Sequence, residues 1–548
     1  MQALGLKLLC VPAAICCVLA AGVSAPAFAT ASASAGVTSS AVAPASATGG
    51  RVLRVGTYHH IEGQYKTIQA AVDHARRDDW ILVAPGDYKT TSSRAPAAAP
   101  DIPSAVLVTK SNLTIRGMNR NTVIVDGTKP GSAPCSRNPK AQNFGPVRDG
   151  SHQGLNGIVA WHANDVNVEN LTACNFLDGS GDTGNAIWWD GLNDENKIGG
   201  WGFLATYLNT TSTFYNGVDS AAAYGLFSSA WQGGLFAHDY ASNFDDAGFY
   251  IGACHQLCRQ IIRHSRSEYN ALGYSGSNSG GTMLIAHNRF AHNEDGFDTN
   301  SQNGDNPPPQ NGACPKGIKP PIKGAPTCWV LYKNVFAYNN NPNVPKSGSA
   351  AQGPVGTGVS ISGGRNNTVM ENKFIGNGAW GTIIVPYPDS GGPCTGGTPN
   401  YILFGSGSCL YDDWGNALIN NTYKNNGFFG NPTNGDFEQL NLQNNEPTNC
   451  YRGNTNTSGK LSAGSAALQS QYSSCSGQPV AANLNPLFLD EVLCDTQVAL
   501  LAGQSVPCLP TDHYPRQTKV VMHPLPKHLK TMPNPCKGVP SNPWCPKR

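Results

Sequence analysis

The chain has 548 residues, 40% of them hydrophobic and 13% charged, with 62 Gly and a formal net charge of +2. That is ample apolar material for one large core, its glycine content suits a turn-rich all-β surface, and so small a net charge argues against a nucleic-acid partner. After the N-terminal apolar run, no stretch is long and apolar enough to span a bilayer.

Residues 1–29 read as an export signal: Lys7, an apolar run from Leu8 to Ala21, then Ala27-Phe28-Ala29 before Thr30 as a cleavage site. Residues 30–50, nearly all Ala, Ser, Thr, Val and Gly, form a flexible lead-in. In a helix drawn through the entrance that follows, Ile68, Ala71, Val72 and Ala75 lie on one face, able to plug the open end of a solenoid.

A period then governs the chain. Gly225, Gly248, Gly273 and Gly296 open near-copies of one pattern at intervals of 23, 25 and 23, and Gly358 and Gly381 resume it 23 apart. A repeat in the low twenties is too short for a helical hairpin and fits one turn of a solenoid. Each turn also carries an Asn-rich string, at Asn288, Asn334, Asn372 and Asn421, followed five positions later by Asn293, Asn339, Asn377 and Asn426; Asn170 and Asn175 suggest an earlier copy. Stacked coils would let these amides bond along the axis while Phe290, Phe336 and Phe374 stack inside.

In these features the chain resembles right-handed parallel β-helix proteins of the pectate-lyase-like type, the Tyr65–Tyr88 entrance looking like that group's capping helix and first strand. The resemblance covers roughly residues 51 to 430. It implies an all-β, right-handed parallel β-helix with an N-terminal capping helix, here followed by a disulfide-rich cap over 431–510 and a basic, Pro-rich tail over 511–548. The fold hosts lyases, hydrolases, esterases, epimerases and adhesins, so activity must come from the site.

Seventeen Cys are present; Cys10, Cys16 and Cys17 would leave with the signal, and the remaining fourteen, an even number, suit an oxidising compartment. Pairing in sequence order would join Cys135–Cys174, Cys254–Cys258, Cys314–Cys328, Cys394–Cys409, Cys450–Cys475, Cys494–Cys508 and Cys536–Cys545. A metal site at Cys254–Cys258 is the rival reading, without a second Cys/His cluster to complete it.

Aligning coils on their Gly puts Leu226, Phe249, Tyr274, Phe297 and Val359 inward, so Phe227, Tyr250, Ser275, Asp298 and Ser360, preceded by Trp188, face outward. Trp188, Phe227 and Tyr250 would then be a sugar-binding platform, or rings packed beneath loops. Insertions at Asp190–Lys197, Thr299–Thr327 and Pro386–Asp413 all leave after the same strand and would wall one face. Acidic residues gather at one corner: Asp245, Asp246, Glu294, Asp295 and Asp298 are the candidate catalytic set. Asp246 and Glu294 fall two coils apart, at a spacing that an inverting glycosidase pair tolerates. Alternatively, these Asp and Asn residues cap bends.

Asn293-Glu294-Asp295-Gly296 also looks like the Asn-Thr-Asp-Gly motif of polygalacturonases, but Asp245-Asp246 precedes it and no Gly-His-Gly exists. A lyase or epimerase would need a cation or Arg for the sugar carboxylate and a base for the adjacent proton. Ca²⁺ held by Asp295, Asp298 and Asp305 is the cofactor considered; Arg259, Arg263, His264, His287, Arg289 and His292 are the basic candidates. The tail carries seven Lys or Arg against Asp512 alone, and reads either as a contact for an anionic cell wall or as a strap along the solenoid. The expectation is an extracellular or cell-envelope monomer that binds, and cleaves or epimerises, an extended acidic polysaccharide. The alternative is a non-catalytic, wall-associated carbohydrate-binding protein.

Overall fold

A computed structural model describes residues 50–192, 197–217, 220–255, 257–304, 314–348, 350–390, 393–499 and 504–547. The export signal, nearly all of the lead-in, and Asp305 lie outside the described residues. Short strands repeat in the order first, second, third sheet, and each pairs in parallel with its equivalent in the next coil. In one coil these are Gly234–Ala237, Tyr240–Ser242 and Ala247–Gly252, and the chain then re-enters the first sheet at Gln260–Arg263. The first sheet has twelve strands, from Val52–Val55 to Cys450–Arg452, and the second eleven, from Gly86–Lys89 to Thr455–Asn456. The third divides into six strands and four, joined by the bridges Leu272↔Asp295 and Ser277↔Asn300. The chain is a right-handed parallel β-helix. Among the described residues no helix is long and apolar enough to cross a membrane.

The glycine period has a steric cause. A Cβ on Gly273 would sit 2.3 Å from the carbonyl oxygen of Gly296, and one on Gly296 or Gly358 would sit 2.5 Å from that of Gly358 or Gly381. Only a residue without a side chain lets adjacent coils close at this corner. The Asn ladders are present as expected: Asn288, Asn334, Asn372 and Asn421 each donate from Nδ2 to the Oδ1 of the next, at 3.0–3.1 Å, and Asn421 donates to Asn454. Asn454 in turn donates to Gln469 of α2 (Ala463–Gln471), which closes the far end of the solenoid. Inside, Phe290, Phe336, Phe374 and Tyr423 stack at 5.2, 5.2 and 4.8 Å.

Helix α1 (Ile68–His74) is capped by Thr67 and buries Ile68, Ala71 and Val72 over the first coil. All seven disulfides join the cysteines in sequence order. The coils run past residue 430, where the repeat was expected to end, because Gly435–Gln439, Cys450–Arg452 and Thr455–Asn456 still add to the three sheets.

The tail is a strap. After α3 (Pro486–Thr496) the chain turns back along the solenoid. The amides of Thr518 and His523 donate to Asn343 and Asn243 at 2.9 and 3.0 Å, and that of Met532 to Asn170 at 3.0 Å. Arg116 binds the carbonyls of Pro535 and Lys537, and Trp544 packs on Leu82, Ala84 and Met118 of the first coils. The strap thus ends where the solenoid begins.

Candidate functional site

The third sheet positions the residues in question. Its registers place Trp188, Phe227, Tyr250 and Ser275 in one outward column, and Asp298, Ser360, Ile383 and Glu438 in the next four strands. Leu226, Phe249, Tyr274, Phe297 and Val359 lie in the core, as strand alternation requires. The three insertions do follow strands of this sheet, Ile187–Asp190, Asp298–Asn300 and Trp380–Val385.

The aromatic column is not an open platform. Trp188 has no exposed surface and donates to Ser229 at 2.9 Å; Phe227 stacks on it at 4.9 Å, and Tyr250 meets Phe227 edge-on at 4.9 Å. Ile102, Val344 and Ala350 complete the same apolar cluster, so the rings pack beneath loops. The physical reason is the chain between 338 and 356, which crosses this face and buries large apolar rings that would otherwise meet water.

At the acidic corner, Asp246, Ala271 and Glu294 occupy equivalent places in successive coils, since Ala247 pairs with Leu272 and Leu272 with Asp295. Their environments differ. Asp246 accepts from the Tyr224 hydroxyl at 2.7 Å, and Glu294 is ion-paired with Lys346. Asp295 accepts from the Ser360 hydroxyl and the Phe297 amide, and Asp298 from the Ser362 hydroxyl at 2.9 Å. Burial pushes Glu294 up to about 8 against the pull of Lys346, and Asp298 up to about 7 against Ser362. Asp295 and Asp245 are raised well above the carboxylate range, first by burial and then by Asp298 and Asp178 respectively.

A cavity of about 260 Å³ opens beside Glu294, roofed by the C-terminal end of α3 and the first residues of the strap. Lys346, Val355, Asp495, Arg516 and Gln517 line it with Glu294. Asp495 is buried, and burial raises it well above the usual range, with Arg516 and the Val355 amide opposing. Arg516 is held in place by donating to the carbonyls of Asp495 and Cys494 at 2.8 and 2.9 Å, the exposed acceptors at the end of α3. Sequence reasoning missed Lys346, Asp495 and Arg516. The only sequence signals were a cysteine beside Asp495 and the basic run that includes Arg516.

The basic candidates lie elsewhere. His264 and His287 sit at corners between first and second sheets, Arg263 ends a first-sheet strand with Arg259 just before that strand, and Arg289 pairs with Glu268 on the second sheet. His292 stacks between Tyr269 and Tyr338. Among the described residues, the groups of three ligand-type side chains that come close together are Asp126–Cys135–Cys174 and Cys494–Cys508–Asp512. Their cysteines are disulfide-bonded, so no thiolate is free to ligate. Asp295 and Asp298, two of the three residues considered for Ca²⁺, are engaged by Ser360 and Ser362.

No family model matches this sequence, and neither does any curated protein. Solved structures do. The A-module of a mannuronan C-5 epimerase from Azotobacter vinelandii is 12% identical, with a TM-score of 0.33, over 71% of this chain and 83% of that one. A rhamnogalacturonan lyase is 11% identical with a TM-score of 0.38, over 68% and 82%, and a pectate lyase 13% identical with a TM-score of 0.35, over 68% and 76%. At these similarities the fold assignment rests on the strand ladders themselves.

The raised carboxyls have a consequence for stability. A buried acid whose folded pKa exceeds its unfolded one stabilises fully below the unfolded pKa, and that contribution is lost as pH rises through the folded value. With Asp298 and Glu438 at about 7 and Glu294 at about 8, the melting temperature is expected to rise as pH falls from about 8 to about 5. A thermal scan across that range checks it; a maximum above pH 8 would show that these groups ionise freely in the folded state.

Proposed function

We propose that this is an exported protein that binds an extended acidic polysaccharide, taking one uronate residue into the cavity beside Glu294 and cleaving or epimerising the chain there. The observation that carries this reading is the meeting of two cations, Lys346 and Arg516, with two buried carboxyls, Glu294 and Asp495, in one cavity. Lys346 and Arg516 neutralise the sugar carboxylate, which acidifies the neighbouring C–H bond. Glu294, ionised, takes that proton. Return of a proton from water to the opposite face epimerises the sugar, whereas expulsion of the glycosidic oxygen carried on the carbon β to the carboxylate, which takes a proton from water and leaves as the alcohol, cleaves the chain and leaves a double bond. Asp295 and Asp298 flank the base, held by Ser360 and Ser362; Asp245 and Asp246 lie in an earlier coil of the same corner. Seven disulfides support an oxidising, extracellular setting.

The engagement of Glu294 by Lys346 and of Asp295 by Ser360 within the protein favours, as second reading, a binding protein without turnover. Incubation of the mature protein with acidic and neutral polysaccharides, with and without Ca²⁺, separates the two. The enzyme reading expects ultraviolet absorbance from unsaturated uronates, or exchange of solvent deuterium into the polymer, with acidic substrates only. Retention on a polysaccharide with neither signal establishes the binding protein.

A further inference from the structure

Away from the acidic corner, a second row of chemistry-bearing side chains runs along the solenoid. At the corner between first and second sheets, successive coils place His238, His264 and His287 at the same position, each with left-handed φ (63°, 54° and 59°) and each exposed. Their rings stack at 5.3 and 5.4 Å, extended at one end by Tyr207, 4.8 Å from His238, and closed at the other by Tyr332, edge-on to His287. Because the ring faces cover one another, the ridge offers solvent its edges, a row of ring nitrogens at a regular axial interval.

Cations surround this row. Arg266 and Arg289, then Lys373 beyond Val335, lie in one outward column of the second sheet; Lys333 continues the ridge, Arg263 immediately precedes His264, and the strap adds Lys530. Two carboxylates answer them, Glu268 beneath Arg266 and Arg289, and Glu371 beside Lys333.

We infer that the histidine ridge and the adjoining face of the second sheet bind a linear polyuronate along the solenoid axis, apart from the cavity, and hold it more tightly as the imidazoles become charged. The rings recur at 5.3 and 5.4 Å, the scale of one sugar unit in an extended chain, so a polyuronate lying along the axis stays in step with the ladder. A nucleic-acid strand, with a charge every ~3.4 Å, falls out of step within a few coils. The groups facing the ridge set its pH range. His238 is held below its ordinary value by burial, then by His264, Arg263, Lys530 and Arg120; His264 by burial, then by His287 and Arg263. Asp239, beneath His238, is buried and raised well above the carboxylate range, chiefly by burial. His238 and His264 therefore charge on the acidic side of neutrality, where uronate carboxylates remain ionised.

The test is retention of the full chain on immobilised polygalacturonate, with dextran and double-stranded DNA as comparison polymers. Retention is expected to be roughly tenfold stronger at about pH 5 than at about pH 8 and to weaken with salt. The triple variant His238→Gln, His264→Gln, His287→Gln should lose the gain at low pH, and Arg266→Gln with Lys373→Gln should lose retention at both. Turnover at the cavity, read separately on short oligouronates, should be unchanged in the histidine triple variant, which separates this track from the cavity. Equal retention at the two pH values, equal retention on dextran, tighter retention on DNA, or a well-folded triple variant that behaves like the parent would each overturn the inference.

Discussion

Phe336→Ala is expected to lower stability by about 3–5 kcal/mol, the largest effect of any single truncation proposed for this solenoid. Phe336 has no exposed surface and lies mid-stack, 5.2 Å from both Phe290 and Phe374, with the edge of Phe297 at 6.1 Å. Truncation would leave a cavity between coils whose separation is fixed by ladder hydrogen bonds, so the neighbours have little freedom to collapse into it. Phe336→Leu keeps much of the volume and should cost markedly less. Denaturant unfolding of the two variants, or unfolding rates if refolding fails, provides the measurement. A loss below about 1 kcal/mol for the alanine variant would mean that the stack contributes little beyond filling space.

Glu294→Gln is expected to reduce turnover of an acidic polysaccharide by about 10²- to 10⁴-fold while leaving the fold intact, the usual scale for loss of a positioned acid or base. The pH profile offers a sharper check. Because burial raises Glu294 to about 8, its basic form is a minority at neutral pH, and parent activity should climb as pH rises toward and through 8. Removing Lys346 withdraws the cation that favours the charged form, so Lys346→Met should move the rise to still higher pH. A profile that falls from pH 6 upward, or a Glu294→Gln variant with parent-like turnover, would remove Glu294 from the chemistry.

The legible part of this protein was whatever the repeat imposes. Gly273 and Gly296 announced themselves because a side chain there would strike the next coil, and Asn334 and Asn372 because each amide must meet its counterpart. Cysteine order sufficed for the disulfides since the pairs close short loops. The cavity was not legible. Lys346, Asp495 and Arg516 come from an insertion, a helix end and the strap, and no period links them. Alternation gave the outward direction of Trp188, Phe227 and Tyr250, but a two-residue pattern carries no information about what covers the face. The end of the coils was misplaced for a related reason: the longer connections at 425–434 and 440–449 set Cys450 33 residues after its partner Ala417, off the beat of the earlier coils.

The strap changes what kind of object the solenoid is. An open stack of coils is a linear array in which only neighbours touch, so its ends loosen first and independently. Here the last segment of the chain returns to the first coils, and Trp544 donates to the carbonyl of Ile61 at 3.0 Å. The array is closed into a ring by non-covalent contact. Loosening the entrance frees the strap, and freeing the strap uncovers Leu82, Ala84 and Met118, so the first coils and the strap are expected to melt as one unit. Protease resistance is therefore governed by one cooperative unlocking of strap and entrance rather than by fraying of either alone.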